Sequence, residues 1–204
     1  MLLLDSVGPN PKVVRMFLAE RGIIGVPVQT IDLRGGENRQ PAYVAKNPSG
    51  TCPALELDDG SYLTEITAIC EYFDETAPGP SLIGSTPQER AETRMWTRRI
   101  DLNIIEPLVA GFRFAEGLKF FQPRMRCIPQ AADDLKTLAR EKLTWLDGLI
   151  AGRSCIAGDR LTLADILLFP FLQFAATVKQ PLDPANTNLA GWYDRMAARP
   201  SAAA

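Results

Sequence analysis

The sequence predicts two units: an α/β domain of βαβαββα order, followed by an all-α domain. Three observations lead there. Short apolar runs alternate with amphipathic helical patterns over residues 1–77. No strand pattern recurs after residue 86, where apolar residues fall by threes and fours instead. The stretch between is rich in turn formers, with Thr76-Ala77-Pro78-Gly79-Pro80 followed by Ile83-Gly84-Ser85-Thr86-Pro87. The domains are accordingly placed at residues 1–77 and 86–204.

In the first domain, Leu2 to Asp5 reads as a strand. Pro11 to Arg21 reads as a helix with Asn10 as N-cap and Pro11 at its first position, residue types preferred at those places. Pro27 to Asp32 is a second strand and Pro41 to Lys46 a looser helix. Asp59-Gly60 is a hairpin turn that makes Ala54 to Leu57 the strand before it, and Ile66 to Thr76 is the closing helix. In the second domain Leu135, Leu138, Ala139, Leu143, Leu146, Leu149 and Ile150 mark one long amphipathic helix. Thr162-Leu163-Ala164-Asp165 has the order of a capping box, with Asp in place of the commoner Glu and Leu161 placed to staple onto Ile166. The next segment, Ile166 to Leu172, is apolar nearly all round and is expected at the centre of the helical domain. Ser201 to Ala204 is expected to be an unpacked tail.

Composition narrows the functions. With 204 residues, 46% hydrophobic and 23% charged, the chain is an ordinary globular one. Its formal charge of −2, with Lys and Arg scattered, and a pI near 5.3 leave no electrostatic footprint for nucleic acid or an anionic membrane. The start Met1 to Asp5 lacks the basic flank of a signal peptide, and the run from Ile166 to Leu172 is too short to span a bilayer, so a cytoplasmic location is expected. Cys52, Cys70, Cys127 and Cys155 are far apart without a C-x-x-C pair, which suits reduced thiols. The absence of histidine removes Ser-His-Asp and Cys-His catalysis and most transition-metal sites, so no metal is expected.

The most informative stretch is Asn47-Pro48-Ser49-Gly50-Thr51-Cys52-Pro53-Ala54-Leu55, with Glu65-Ile66 beyond the hairpin. Pro53 stands at a strand entrance. If the Cys52-Pro53 bond is cis, residue 52 can offer its N–H and C=O to a bound peptide instead of to the sheet; the sequence leaves the isomer open.

Taken in order, several pieces of the chain resemble the cytosolic glutathione transferases, and the resemblance covers essentially the whole length. They are Gly8-Pro9-Asn10-Pro11-Lys12-Val13, Asn47-Pro48 through Pro53-Ala54-Leu55, Asp59-Gly60, Glu65-x-x-Ala68-Ile69-x-x-Tyr72, Thr162-Leu163-Ala164-Asp165, Trp192-Tyr193-Asp194-Arg195-Met196 and Arg199-Pro200-Ser201. The resemblance implies a thioredoxin-like first domain that binds glutathione and a helical domain that supplies most of an apolar pocket for the second substrate. It also implies a homodimer, the first domain of one subunit lying against the helical domain of the other.

By the same resemblance a residue of the first loop contacts the glutathione sulfur. The family usually places Ser, Tyr or Cys there, and some bacterial members, similar to the nu class, carry Thr-Pro-Asn; here Gly8 holds the Thr position. Asn10 is therefore the candidate thiolate stabiliser, with Ser6 in reserve. A thiol of pKa about 8.5 is only ~3% ionised at pH 7, and lowering that value by two units, roughly 2.7 kcal/mol, makes thiolate the majority form. The resemblance gives Cys52, next to Pro53, backbone pairing with the cysteinyl part of glutathione, although a small half-buried apolar residue explains it equally. Glu65 would pair with the γ-glutamyl α-amino group, and also suits the start of the following helix by charge alone. Ile66 stands where the family has Ser or Thr and offers only its backbone N–H; Thr67, one helical step of ~100° further, is turned away. Gln40 is a candidate for the glycyl end. Met95, Arg99 and Asn103, on a helix expected to border the cleft, are candidates for the second-substrate pocket.

The function expected is a glutathione transferase that binds glutathione as thiolate and transfers it to a small hydrophobic electrophile. The alternatives are a glutathione-dependent disulfide reductase or peroxidase, and a non-catalytic binding module of the same family.

Overall fold

The computed structural model describes residues 1–204. Its sheet has the order β2-β1-β3-β4. β1 (Leu2–Asp5) runs parallel to β2 (Val28–Thr30) and antiparallel to β3 (Ala54–Glu56), which pairs antiparallel with β4 (Tyr62–Leu63). With α1 (Pro9–Glu20), α2 (Pro41–Val44) and α3 (Ile66–Thr76) this completes the βαβαββα order. The rest is helical: α4 (Pro87–Ile100), a π-helical turn (Asp101–Ile105), α5 (Glu106–Phe114), α6 (Leu118–Phe121), α7 (Ala132–Leu149), α8 (Leu163–Thr177) and α9 (Thr187–Ala197).

Alternation along β1 builds two cores. Leu3 joins Val13, Phe17, Leu55 and Ile69 in the main core, while Leu4, one residue on, joins Ile31, Tyr43, Cys52 and Ala54 on the opposite face. The main core runs on without interruption into Ile166, Phe169 and Leu172 of α8. α1 packs on both α3 and α8, so the two domains share one apolar interior and are held in fixed relation. The α8 start forms as expected: Asp165 Oδ2 accepts from the Thr162 N–H at 2.9 Å, and Thr162 Oγ1 accepts from the Ala164 N–H at 3.3 Å. Asp165 also accepts from Trp192 Nε1 at 2.8 Å, which ties α9 to it.

Between the domains, Arg21 is the clamp. Its side chain is 1% exposed and donates to the carbonyls of Asp74, Ala77 and Pro80, on α3 and the linker. Its Nε lies 3.0 Å from Asp74 Oδ1 but off the hydrogen-bond direction, so that contact is an ion pair only.

Two expectations need correction. α1 begins at Pro9 with Gly8 as N-cap at φ 114°, so Asn10 is the second helical residue and makes no capping bond. Gly8 takes a backbone conformation that L side chains avoid, and both prolines then fall in the first turn, where their missing N–H groups are not needed. The C-terminus is packed: Pro200–Ala203 is a 3₁₀ turn, Arg199 Nε and Nη2 donate to Glu20 at 2.6 and 2.7 Å, and the Ser201 hydroxyl also donates to Glu20. A second capping box, of Thr86 and Glu89, starts α4.

Candidate active site between the domains

A cleft opens where the first-domain loops face α5, α6 and α8. It has two compartments that share Asn10, Thr51, Cys52, Val109 and Arg113. The smaller, about 260 Å³, brings Asn10, Cys52, Pro53, Glu65 and Ile66 together opposite Asp101 and Glu106. The larger, about 480 Å³, is walled by Leu33 and by Phe112, Phe120, Phe121 and Phe174.

The first turn of α1 contains prolines at 9 and 11, so the N–H groups left at its mouth are those of Gly8 and Asn10, and neither is bonded within the chain. Together with the Asn10 side-chain amide they give a positive helix start with free donors, an arrangement that favours an anion such as a thiolate.

The loop before β3 is anchored from below. Tyr43 Oη and Asn47 Nδ2 donate to Thr51 O at 2.6 and 2.8 Å, and Asn38, buried at 2%, donates to Gly50 O. Gly50 has φ 58°, and a Cβ there would meet Asn38 O at 3.0 Å, so only glycine closes this loop. The Cys52-Pro53 bond is cis, and neither the N–H nor the C=O of Cys52 is bonded within the chain. The Cys52 side chain points into the small core, with Sγ 3.1 Å from Tyr43 Oη. Burial pushes its thiol pKa up, the Tyr43 hydrogen bond pulls the other way, and Asp5 and Glu37 add to the rise. Such a thiol stays protonated at neutral pH and is a poor nucleophile.

Glu65 caps α3 with φ 70°, a region that non-glycine residues occupy only when their surroundings hold them there. This backbone sets its carboxylate at the rim of the smaller compartment. Ile66 follows with its N–H unbonded. Thr67 lines the compartment as well, so the helical step does not turn the residue away from it. Asp101, from the π turn, faces Glu65. Burial lifts the Asp101 carboxyl above the usual carboxylate range, and Glu106 and Glu65 lift it further against the pull of Arg98. Glu65, Asp101 and Glu106 form an acidic rim suited to an ammonium group.

Five expected site residues lie elsewhere. Ser6 is 7% exposed, lines neither compartment, and donates its hydroxyl to Ile31 O at 2.6 Å, where it pins the end of β1 to the segment after β2. Gln40 is the exposed N-cap of α2; Asn38 and Arg39 face the larger compartment in its place. Met95, Arg99 and Asn103 point away from the cleft. Met95 is exposed, Arg99 sits 5.0 Å over the Trp96 ring, and Asn103 donates to Arg99 O at 2.9 Å. The cleft face carries Asp101, Ile105, Val109 and Arg113. That face is two residues further along, ~200° around the helix. The π turn, with its wider period, holds this four-residue spacing in line across the junction. No signal in the sequence marked that turn.

A small mixed sheet that presents unbonded backbone groups beside a helix start, roofed by a helical domain, defines a two-domain protein with a cleft between its domains. The patterns described as Glutathione S-transferase, N-terminal domain and Glutathione S-transferase, C-terminal domain match residues 7–76 and 121–200. Glutathione S-transferase 2 of Saccharomyces cerevisiae is 36% identical over 208 residues, covering 98% of this chain and 87% of the relative. Maleylacetoacetate isomerase of Pseudomonas aeruginosa is 35% identical over 172 residues, covering 83% of this chain and 78% of that protein. The crystal structure of Gtt2 from Saccharomyces cerevisiae superposes with a TM-score of 0.92 at 35% identity, covering 98% of both chains. The chain belongs to the glutathione S-transferase family.

Proposed function

We propose that this protein is a glutathione transferase that binds glutathione as thiolate in the smaller compartment and delivers it to a hydrophobic electrophile in the larger. The observation that carries this reading is Asn10, which faces both compartments with its backbone N–H and side-chain amide unbonded. The residues present fit glutathione along its length. The acidic rim of Glu65, Asp101 and Glu106 suits the α-amino group, and the Ile66 N–H and Thr67 hydroxyl suit the γ-glutamyl carboxylate. The free N–H and C=O of Cys52 suit the cysteinyl amides, which leaves the sulfur beside Asn10.

In the reaction the sulfur lone pair forms a bond to the electrophilic carbon. The leaving group departs with the bonding electron pair or, in an addition, a solvent proton goes to the neighbouring carbon. Thiolate stabilisation at the helix start and the fixed proximity of the two compartments supply the acceleration. A protonated, buried Cys52 favours this over disulfide chemistry that uses a protein thiol. We also place the protein as a cytoplasmic homodimer, for which light scattering should give about twice the 22.4 kDa chain mass.

Titrating the purified protein with glutathione while following thiolate ultraviolet absorbance against pH tests the reading. A bound thiol ionising a unit or more below its free value supports it. Saturable binding without a lowered pKa would reduce the protein to a glutathione carrier, and no binding would leave only a family-like module.

A further inference from the structure

The larger compartment is built for a negative charge as well as for an apolar ring. We infer that the electrophile it takes is a planar, apolar molecule bearing a carboxylate, with the ring among the phenylalanines and the carboxylate on Arg113 and Arg124. This rests on the transferase reading, since it names the second substrate of the same cleft.

Arg34, Arg39, Arg113 and Arg124 all line this compartment, and no Asp or Glu does. None of the four takes part in an ion pair. Arg34 and Arg39 are exposed, and water screens them; Arg113 and Arg124 are half-buried. Arg113 Nε is buried and without a hydrogen-bond partner. Burial lowers the Arg124 pKa, and the nearby Arg39 charge lowers it further.

Aromatic rings hold both guanidinium groups in place. Arg124 lies 3.5 Å over the Phe120 ring and gives one Nη2 N–H to Leu33 O at 3.1 Å, and its remaining N–H groups are unbonded within the chain. Arg113 lies 5.6 Å over the Phe121 ring, which meets Phe112 edge-on at 5.9 Å. Phe112 in turn meets Phe174 edge-on at 4.9 Å. Stacked, oriented guanidinium groups match a carboxylate through paired N–H bonds. A neutral ligand would leave the same partly desolvated charges without compensation. Arg39 lies on the opposite, first-domain wall beside Gly50 and is exposed, so the anion of the second substrate is assigned to the half-buried helical-domain pair.

The test is calorimetric binding of trans-cinnamate and its neutral isostere cinnamamide to the full-length protein at low and high salt. Cinnamate should bind about tenfold more tightly, the preference shrinking with salt and in the Arg113→Gln and Arg124→Gln variants. Equal binding, no binding of either compound, or a preference that survives both substitutions would overturn the inference. The wild-type comparison needs no variant, and thermal melting reports whether each variant folds. Conjugation of glutathione to cinnamaldehyde and 4-carboxycinnamaldehyde separates the two readings. Equal kcat/KM for the two aldehydes would sink this inference and leave the transferase standing. Turnover of neither, with the binding preference intact, would leave a carboxylate-binding site and overturn the transferase reading, and with it the ligand's role as electrophile.

Discussion

The two compartments of the cleft are made of different material. The polar lining of the smaller is backbone and acid: free N–H groups of Asn10 and Ile66, both polar groups of Cys52, and the rim of Glu65, Asp101 and Glu106. The larger is walled mainly by side chains, phenylalanine rings with arginines laid across two of them. Backbone groups cannot be substituted away, so a site built on them keeps one ligand. A wall of side chains can change ligand with a single substitution and leave the thiol end alone. Specificity for the second substrate is therefore expected to vary independently of glutathione binding.

The largest expected effect comes from breaking what both compartments share. Asp74→Ala leaves Arg21 as a buried, unpaired cation under the linker and should destabilise the protein by about 3–5 kcal/mol in urea denaturation. A loss below about 1 kcal/mol would mean that the clamp does not seat the domains. Asn10→Ala acts where the compartments meet. It should raise the bound thiol pKa by one to two units and cut kcat/KM about tenfold to a hundredfold at pH 6.5, with the deficit closing towards pH 9. An unchanged pH-rate profile would remove Asn10 from the chemistry.

Ile66→Ser sharpens the smaller compartment alone. An added hydroxyl at the start of α3 should lower the glutathione KM severalfold, about 1 kcal/mol, with the electrophile KM unmoved. If KM does not fall, Thr67 already supplies that bond.

The smallest effect lies outside the cleft. Glu20 is held below the usual carboxylate pKa by its hydrogen bond to Arg199, against the rise from burial and with help from Ser201. Its stability contribution is therefore fully present above about pH 4.3 and is lost as pH falls through the lower folded value. Solvent screening keeps it below about 1 kcal/mol. Arg199→Ala should flatten that acid limb in melting curves between pH 5 and 3 and leave both KM values alone.

What the sequence made legible follows the same division. Local chemistry showed: α3 has the expected bounds, and Asn10, Cys52, Pro53, Glu65 and Ile66 come together because a strand entrance and two helix starts are written in neighbouring residues. Non-local packing did not show. The Ser6 hydroxyl is committed to a carbonyl 25 residues away, and Ser201 is held by Glu20, 181 residues away. Which face of α4 and α5 opens to the cleft depends on the π turn and on packing against α8, so the sequence pattern does not separate Asp101 and Arg113 from Met95, Arg99 and Asn103; Arg124, beyond α6, reaches the cleft only through the fold of that loop. The position of Asn10 was visible, but its role as N-cap was displaced by the backbone freedom of Gly8.

Two-substrate steady-state kinetics on Glu65→Gln and Arg124→Gln, each changing a residue of one compartment only, tests the division most directly. The account predicts that Glu65→Gln raises the KM for glutathione about tenfold and leaves that of a carboxylated electrophile in place, and that Arg124→Gln does the reverse. If either substitution raises both KM values alike, the cleft is one site and the division fails.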